Sequence, residues 1–226
     1  NRLKQFFRNA HELFGKGELT LYLRGRNAVV FLVLFLLLAS GCVSATGKLR
    51  WAERLYQEGQ FLVTRGNQEA AAKKFEKSLA LSREIDFQAG VAHNLNELAI
   101  YHTARQEYEL ARVLLREAIS IYRQNEMAPE VSKATNNMAL TYMREGRIRK
   151  ALEQYDELLV WDQRTHNRLG EAITFYNTGK IYEDYLADRN EARRRYTVAL
   201  RYFQQLNNEE YAATVTESLA RLNDNQ

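Results

Sequence analysis

The sequence predicts an all-α fold, a solenoid of four helical hairpins closed by a final helix, and three observations predict it. Apolar residues after residue 48 return at helical spacing, as in 134–159, ATNNMALTYMREGRIRKALEQYDELL. There Met138, Ala139 and Tyr142 lie on one helix and Ala151, Tyr155 and Leu159 on a second, joined at Glu145-Gly146-Arg147. The pattern also recurs: Ala52, Ala92, Ser132 and Ala172 are spaced by 40, and Ala71, Ala111 and Ala151 repeat the interval. Finally, one proline and 11 glycines in 226 residues leave little room for a turn-rich β protein. A single hairpin cannot bury its apolar face, so neighbours must stack.

Residues 1–42 read as a leader. Arg24 and Arg26 precede the apolar run Ala28–Leu38, which gives way to Ala39-Ser40-Gly41-Cys42. A basic segment, an apolar core and a small-residue exit are the plan of a secretory signal peptide. Ala28–Thr46, 19 residues, is also close to the length that crosses a bilayer as an uncleaved helix. Either way the positive charges stay inside and the rest of the chain is exported. Asn1 in place of methionine, and the long segment ahead of Arg24, point to an incomplete or misassigned start.

The leader holds six basic residues against Glu12 and Glu18, which accounts for the whole formal charge of +4. The remaining residues carry 26 basic and 26 acidic side chains, so the folded part has no net field with which to steer towards nucleic acid. Cys42 is the single cysteine, which excludes an intrachain disulfide and a cysteine metal cluster.

After a short linker at 43–49, the repeats fall at about 52–90, 92–130, 132–170 and 172–210, with a cap at 211–226. The first hairpin places Gly59 and Gly66 ahead of Ala71, Phe75 and Leu79. The second has Ala99, Tyr108, Ala111, Ala118 and Ile119. The third is quoted above. The fourth has Gly179, Tyr182, Ala192, Tyr196, Ala199 and Leu200, with Ala192 one residue late, which predicts a one-residue insertion around Ala187–Asn190. After Tyr211 the pattern starts again and ends within one helix, as a solenoid cap does.

These residues resemble the tetratricopeptide repeat family, whose pattern of aromatic, Leu-Gly, Tyr, then Ala, Phe and Ala forms a helix–turn–helix. The resemblance covers residues 50–226, about four repeats and a helix, at a period of 40 rather than 34. The run Asn136-Asn137-Met138-Ala139 resembles the long-repeat branch typified by kinesin light chains. The consensus proline is absent, His102 stands where Tyr142 and Tyr182 stand in later repeats, and Pro129 precedes the third first-helix. LLASGC is similar to the bacterial lipobox, which implies that Cys42 is lipidated and becomes the first mature residue, although Ala39 occupies the usual leucine place. Val43, where aspartate would favour the inner membrane, implies the outer membrane, with the domain facing the periplasm.

The family architecture implies a concave groove lined by the first helices. Spacing nominates Tyr56 and Gln60 in the first repeat and His93, Asn96 and Ile100 in the second. Lys133, Asn136, Asn137, Leu140 and Arg144 follow in the third, and Tyr176, Asn177 and Lys180 in the fourth. An asparagine amide offers donors and an acceptor to the backbone of an extended peptide, and equally solvates a groove or caps a turn. Lys133 and Asn137 match only part of the clamp by which relatives hold an acidic C-terminus, so that ligand is not implied.

Chemistry finds no foothold. His11, His93, His102 and His166 are scattered, and no metal-ligand, phosphate-loop or nucleophile spacing is present. Arg193-Arg194-Arg195 reads as a solvated outer wall, and Trp51 and Trp161 as packing between repeats. The expectation is a non-enzymatic, cofactor-free scaffold, tethered to a bacterial envelope, that binds a protein or peptide partner and serves assembly of a pilus or secretion system. A peptide-sensing receptor, and an accessory that recruits a cell-wall or polysaccharide enzyme, are the alternatives.

Overall fold

The computed structural model describes the backbone of residues 27–224 and the side chains of residues 45–222. The chain divides into two units, residues 1–50 and 51–226. The described part of the first is helical, the opening stretch of α1 (Asn27–Thr64), so the expected linker at 43–49 is helix. The side chains of the apolar run and of Cys42 lie outside the described residues. Among those described, no helix is long and apolar enough to cross a membrane.

The second unit is a stack of antiparallel helices. After α1 come α2 (Gln68–Glu84), α3 (Gln88–Ala104), α4 (Tyr108–Gln124), α5 (Ala128–Arg144), α6 (Ile148–Arg164), α7 (Arg168–Asp184), α8 (Arg189–Gln205) and α9 (Glu209–Asp224). Helices α2 to α8 have 17 residues each. With three-residue turns this makes a 20-residue unit, and two units make the 40-residue repeat. The hairpins therefore open at 88, 128 and 168, four residues ahead of the repeat starts read from the alanines.

A single device sets the turn. The residue two places past each helix end takes a left-handed backbone: Gly66, Asp86, Gln106, Glu126, Gly146, His166 and Asn207. The next N–H then reaches back to the carbonyl five residues earlier, from Asn67 to Leu62, Phe87 to Ser82, Glu107 to His102, Met127 to Tyr122, Arg147 to Tyr142, Asn167 to Asp162 and Asn208 to Phe203, all at 2.8–3.0 Å. This pattern satisfies carbonyls that a helix end leaves open. The same residue caps the next helix, and the side chains of Asn67 and Asn167 accept from the N–H three residues on. Pro129 sits inside the first turn of α5, where a missing N–H removes no helical bond.

The inserted residue lengthens the turn before α8 to Tyr185–Asp188. There Ala187 is left-handed, and Leu186 and Asp188 bond back to Ile181 and Tyr182 instead.

Within each hairpin a small residue meets a large one. Ala99 and Ala139 are fully buried, facing the level of Leu115 and Tyr155, which are buried too. A Cβ on Gly59 would lie 2.5 Å from the Phe75 ring, and one on Gly179 would lie 2.7 Å from Tyr196. Two core clusters result: one runs from Ala71 to Leu158 and takes in Ile181, and the other joins α7, α8 and α9 through Tyr196, Phe203, Val215 and Leu222. The cap is fastened by Glu183, which accepts from Tyr196 Oη at 2.6 Å and pairs with Arg221 at 2.8 Å. The Arg221 hydrogen bond, above all, holds the Glu183 carboxyl below its ordinary range.

Two tryptophan expectations separate. Trp161 is half-buried under the Arg123 guanidinium, 5.1 Å from its ring. Trp51 is 58% exposed, because it falls outside the stripe of Ala52, Leu55 and Gly59 that packs into the hairpin. Of the Arg193–Arg195 run, expected as a solvated wall, Arg194 is exposed while Arg193 and Arg195 are half-buried, and Arg194 and Arg195 both pair with Glu191.

Two substitutions test this account. Gly179→Leu forces its side chain into the Tyr196 ring and should cost about 3 kcal/mol in urea unfolding. Glu126→Gly should add about 1 kcal/mol, because it removes the Cβ from a left-handed backbone at φ 56° while keeping the turn. An unchanged midpoint for Gly179→Leu would show that the helices are not held at this contact.

Candidate functional site

Successive first helices touch one another, α3 against α5 and α5 against α7. On the opposite side α4 and α6 are parted by an open cleft of about 470 Å³, with Arg116, Arg123, Gln154 and Glu157 on its walls and Thr135 and Met138 at its floor. A layer that closes on one side and opens on the other curves towards the closed side, so the first helices line the inner face, as expected.

The nominated residues do not share one role. Ile100, Leu140 and Lys180 are exposed, the first two at 40% and 41%. Arg144 and Lys133 are exposed, and Lys133 lies 3.7 Å from the Glu97 carboxylate. Tyr56 is half-buried, accepts from Gln60 Nε2 at 3.0 Å and packs 5.9 Å from His93, which lies 5.6 Å from Tyr122. Burial raises the Tyr56 hydroxyl to about 12 and lowers His93, so both rings are neutral at pH 7. Tyr176 is half-buried beside Tyr196.

The asparagines form a ladder, an arrangement that spacing on one helix does not disclose. Asn137 Nδ2 donates to Asn96 Oδ1 at 2.9 Å, and Asn177 Nδ2 donates to Asn136 Oδ1 at 2.8 Å, each bond joining neighbouring first helices. Tyr155 Oη donates to the same Asn136 oxygen at 2.6 Å. Asn96 is only 3% exposed, which corrects its nomination as a partner contact: it is buried in the stack with its oxygen accepting from Asn137. Asn136, Asn137 and Asn177 are half-buried. With its oxygen accepting twice, Asn136 is fixed in orientation, and its own N–H donors are free of partners among the described bonds.

Beside this ladder, between α5 and α7, lies a cavity of about 240 Å³ lined mainly by apolar groups, among them Pro129, Leu158, Leu169 and Ile173. Its polar wall includes Ser132, Asn167 and Thr174. Behind Ser132 and Asn167 is Asp162, fully buried, whose Oδ1 accepts from Ser132 Oγ at 2.7 Å and Asn167 Nδ2 at 2.8 Å. Burial raises the Asp162 carboxyl above its ordinary range, against these two bonds and with Glu171 adding to the rise. Asp162 Oδ2 and Thr174 Oγ1 are buried without a hydrogen-bond partner. The sequence reading passed over Asp162; its signal was an acid in a slot where the neighbouring repeats have Tyr122 and Phe203.

An inner face of paired amides, exposed aliphatic residues and one small cavity, on a curved stack of helical hairpins, defines a protein-interaction scaffold. The tetratricopeptide repeat family model matches residues 130–205. The helices before and after continue the same 20-residue unit, so the repeat architecture extends on both sides of the matched span. The fold is similar to the apo form of RapI at 15% identity and a TM-score of 0.66, over 77% of this chain and 64% of RapI. It is also similar to the TPR-like repeats of a Podosopora anserina kinesin light chain at 14% identity and a TM-score of 0.55, over 77% of this chain and 95% of that one. These likenesses show the fold. No curated protein matches the sequence.

The buried acid gives a signed pH effect. A carboxyl raised in the folded state stabilises it below the unfolded pKa, and that contribution is lost as pH rises through the folded value. Asp162→Asn should therefore raise the melting temperature at pH 7 and leave it nearly unchanged at pH 4. A larger gain at pH 4 than at pH 7 would mean that Asp162 is stabilised as the anion.

Proposed function

We propose that this protein is an envelope-tethered scaffold that holds an extended segment of a partner protein along the inner face of its first helices. The observation that carries the reading is the asparagine ladder, which fixes the N–H donors of Asn136 one turn from the exposed Leu140, with the exposed Ile100 at the same place one repeat earlier. Fixed amides bond to peptide backbone whatever its side chains, and exposed aliphatics gain by burial against the segment. Such a partner surface consumes no substrate. Tetratricopeptide repeats are in general non-catalytic scaffolds, and none of the groups described above is arranged as nucleophile and base.

The tether rests on the lipobox-like LLASGC sequence and the apolar run ahead of it. Lipidation at Cys42 would supply more than one acyl chain, which anchors where a single chain binds only marginally. Val43 supports an outer-membrane address with the repeats in the periplasm, and assembly of a pilus or secretion system is the role in which a tethered scaffold of this kind serves.

The test uses the full-length protein, its Cys42→Ser form and an Ile100→Asp, Leu140→Asp double variant, purified from detergent-solubilised bacterial membranes. Intact-mass measurement should show residues 1–41 removed and diacylglycerol plus a further acyl chain on Cys42. The double variant should lose the captured envelope proteins while unfolding within about 0.5 kcal/mol of wild type, as surface changes do. A bait retaining 1–41 without lipid defeats the tether, and identical capture by the double variant defeats the groove.

A further inference from the structure

Helix α1 has a face that the later first helices bury and that stands open here. Positions 51, 54 and 58 recur at the 40-residue period as Val91, Asn94 and Leu98, then Val131, Ala134 and Met138, then Glu171, Thr174 and Thr178. All of these are buried. In α3 the cover is the preceding hairpin, for Asn94 Nδ2 donates to Ser78 Oγ on α2 at 2.9 Å. In α1 the same places carry Trp51, which is 58% exposed, Arg54, which is exposed, and Glu58, which is half-buried. Phe61 is also 58% exposed, although its later counterparts Tyr101, Thr141 and Ile181 are half or fully buried. At helical spacing the four side chains fall within about 80° of arc and make one stripe, on the side of α1 away from Tyr56 and Gln60.

The order of chemistry along this stripe selects what covers it. Read from either end it is aromatic, charge, charge, aromatic, at intervals of three, four and three residues. Because the two charges are opposite, a second copy laid antiparallel about the level of residue 56 sets Trp51 against Phe61 and Arg54 against Glu58. The twofold axis then repeats both pairs. A contact between identical chains needs such a self-complementary patch, and alternating steps of three and four are those at which paired helices interlock. A further hairpin of the ordinary kind does not suit this face. It would press on Arg54 and Glu58 where α3 offers Asn94 and Leu98, and charges buried without partners are costly. Glu58 pairs with Lys74 on α2, whereas no ion pair among the described residues engages Arg54. Beside Phe61 the surface dips into an open hollow of about 450 Å³, walled in part by Leu62 and Lys74, at the level where Trp51 of a second copy arrives.

From this we infer that the protein self-associates through α1, two copies pairing their first helices antiparallel with aromatic contacts at the ends of the stripe and ion pairs between Arg54 and Glu58 at its centre. The groove takes no part in it. One helix pair is smaller than a standard interface, so the dimer is weak, with a dissociation constant on the order of 10 µM.

Sedimentation equilibrium of the full-length protein in density-matched detergent reads the association directly. Wild type should pass from monomer to dimer across the micromolar range. Arg54→Glu sets carboxylates against each other at both crossings and Glu58→Arg sets cations, so either variant alone should dimerise at least about tenfold more weakly. Mixed in equal amounts, the two should recover the wild-type dimer, because every charge then faces its opposite again. Circular dichroism checks that each variant folds. Should Glu58→Arg fail beside Lys74, Phe61→Asp takes its place and should lose the dimer with the fold unchanged. Wild type that stays monomeric to about 1 mM overturns the pairing. Variants that dimerise like wild type, or a mixture no tighter than its components, overturn it equally.

Discussion

Every level of this structure depends on the left-handed residue that ends each helix. It ends most of the helices at 17 residues, returns the chain in three, and sets the next residue at the N-cap position of the following helix, where Asn67 and Asn167 also cap with their side chains. Because helix and turn repeat without drift, the small-on-large contacts fall at the same level in successive hairpins. Gly59 with Phe75 and Gly179 with Tyr196 can approach so closely only because the turns hold the helices in register. Only Gly66 and Gly146 meet the backbone demand without strain, and the stack accepts the cost at Asp86, Gln106, Glu126, His166, Ala187 and Asn207.

Regularity is also what makes the irregularities informative. The asparagine ladder needs two adjacent asparagines on α5, one turned back to α3 and one forward to α7, and this doublet at 136–137 is the joint between repeats. The side chains that make the ladder are therefore structural on one edge and free on the other. The same hairpin holds Asp162, a buried acid in a ring's place, so the ladder, the cavity and the raised carboxyl belong to one locality rather than to the groove at large.

The fold could be read from the chain because it rests on period and residue size, and both are visible in one dimension. The Glu145–Arg147 turn, the paired alanines and the late Ala192 all stand where the spacing put them. The site was less legible, because it depends on relations across helices. Spacing placed Asn96 on the inner face but could not show that Asn137 covers it, and it offered Trp51 as packing when the buried stripe of α1 runs through Ala52 and Leu55. Asp162 gives no motif; its meaning comes from a comparison with Tyr122 and Phe203 that only the superposed hairpins make plain.

The two core clusters meet on α7, which gives Ile181 to one and Ala172 to the other, and beside its first turn Ser132, Asp162 and Asn167 are joined by hydrogen bonds. Polar stitches of this kind hold by direction rather than by area, and they loosen together when one is lost. A load drawn along the stack would meet directed bonds here and close-packed rings and aliphatic chains on either side.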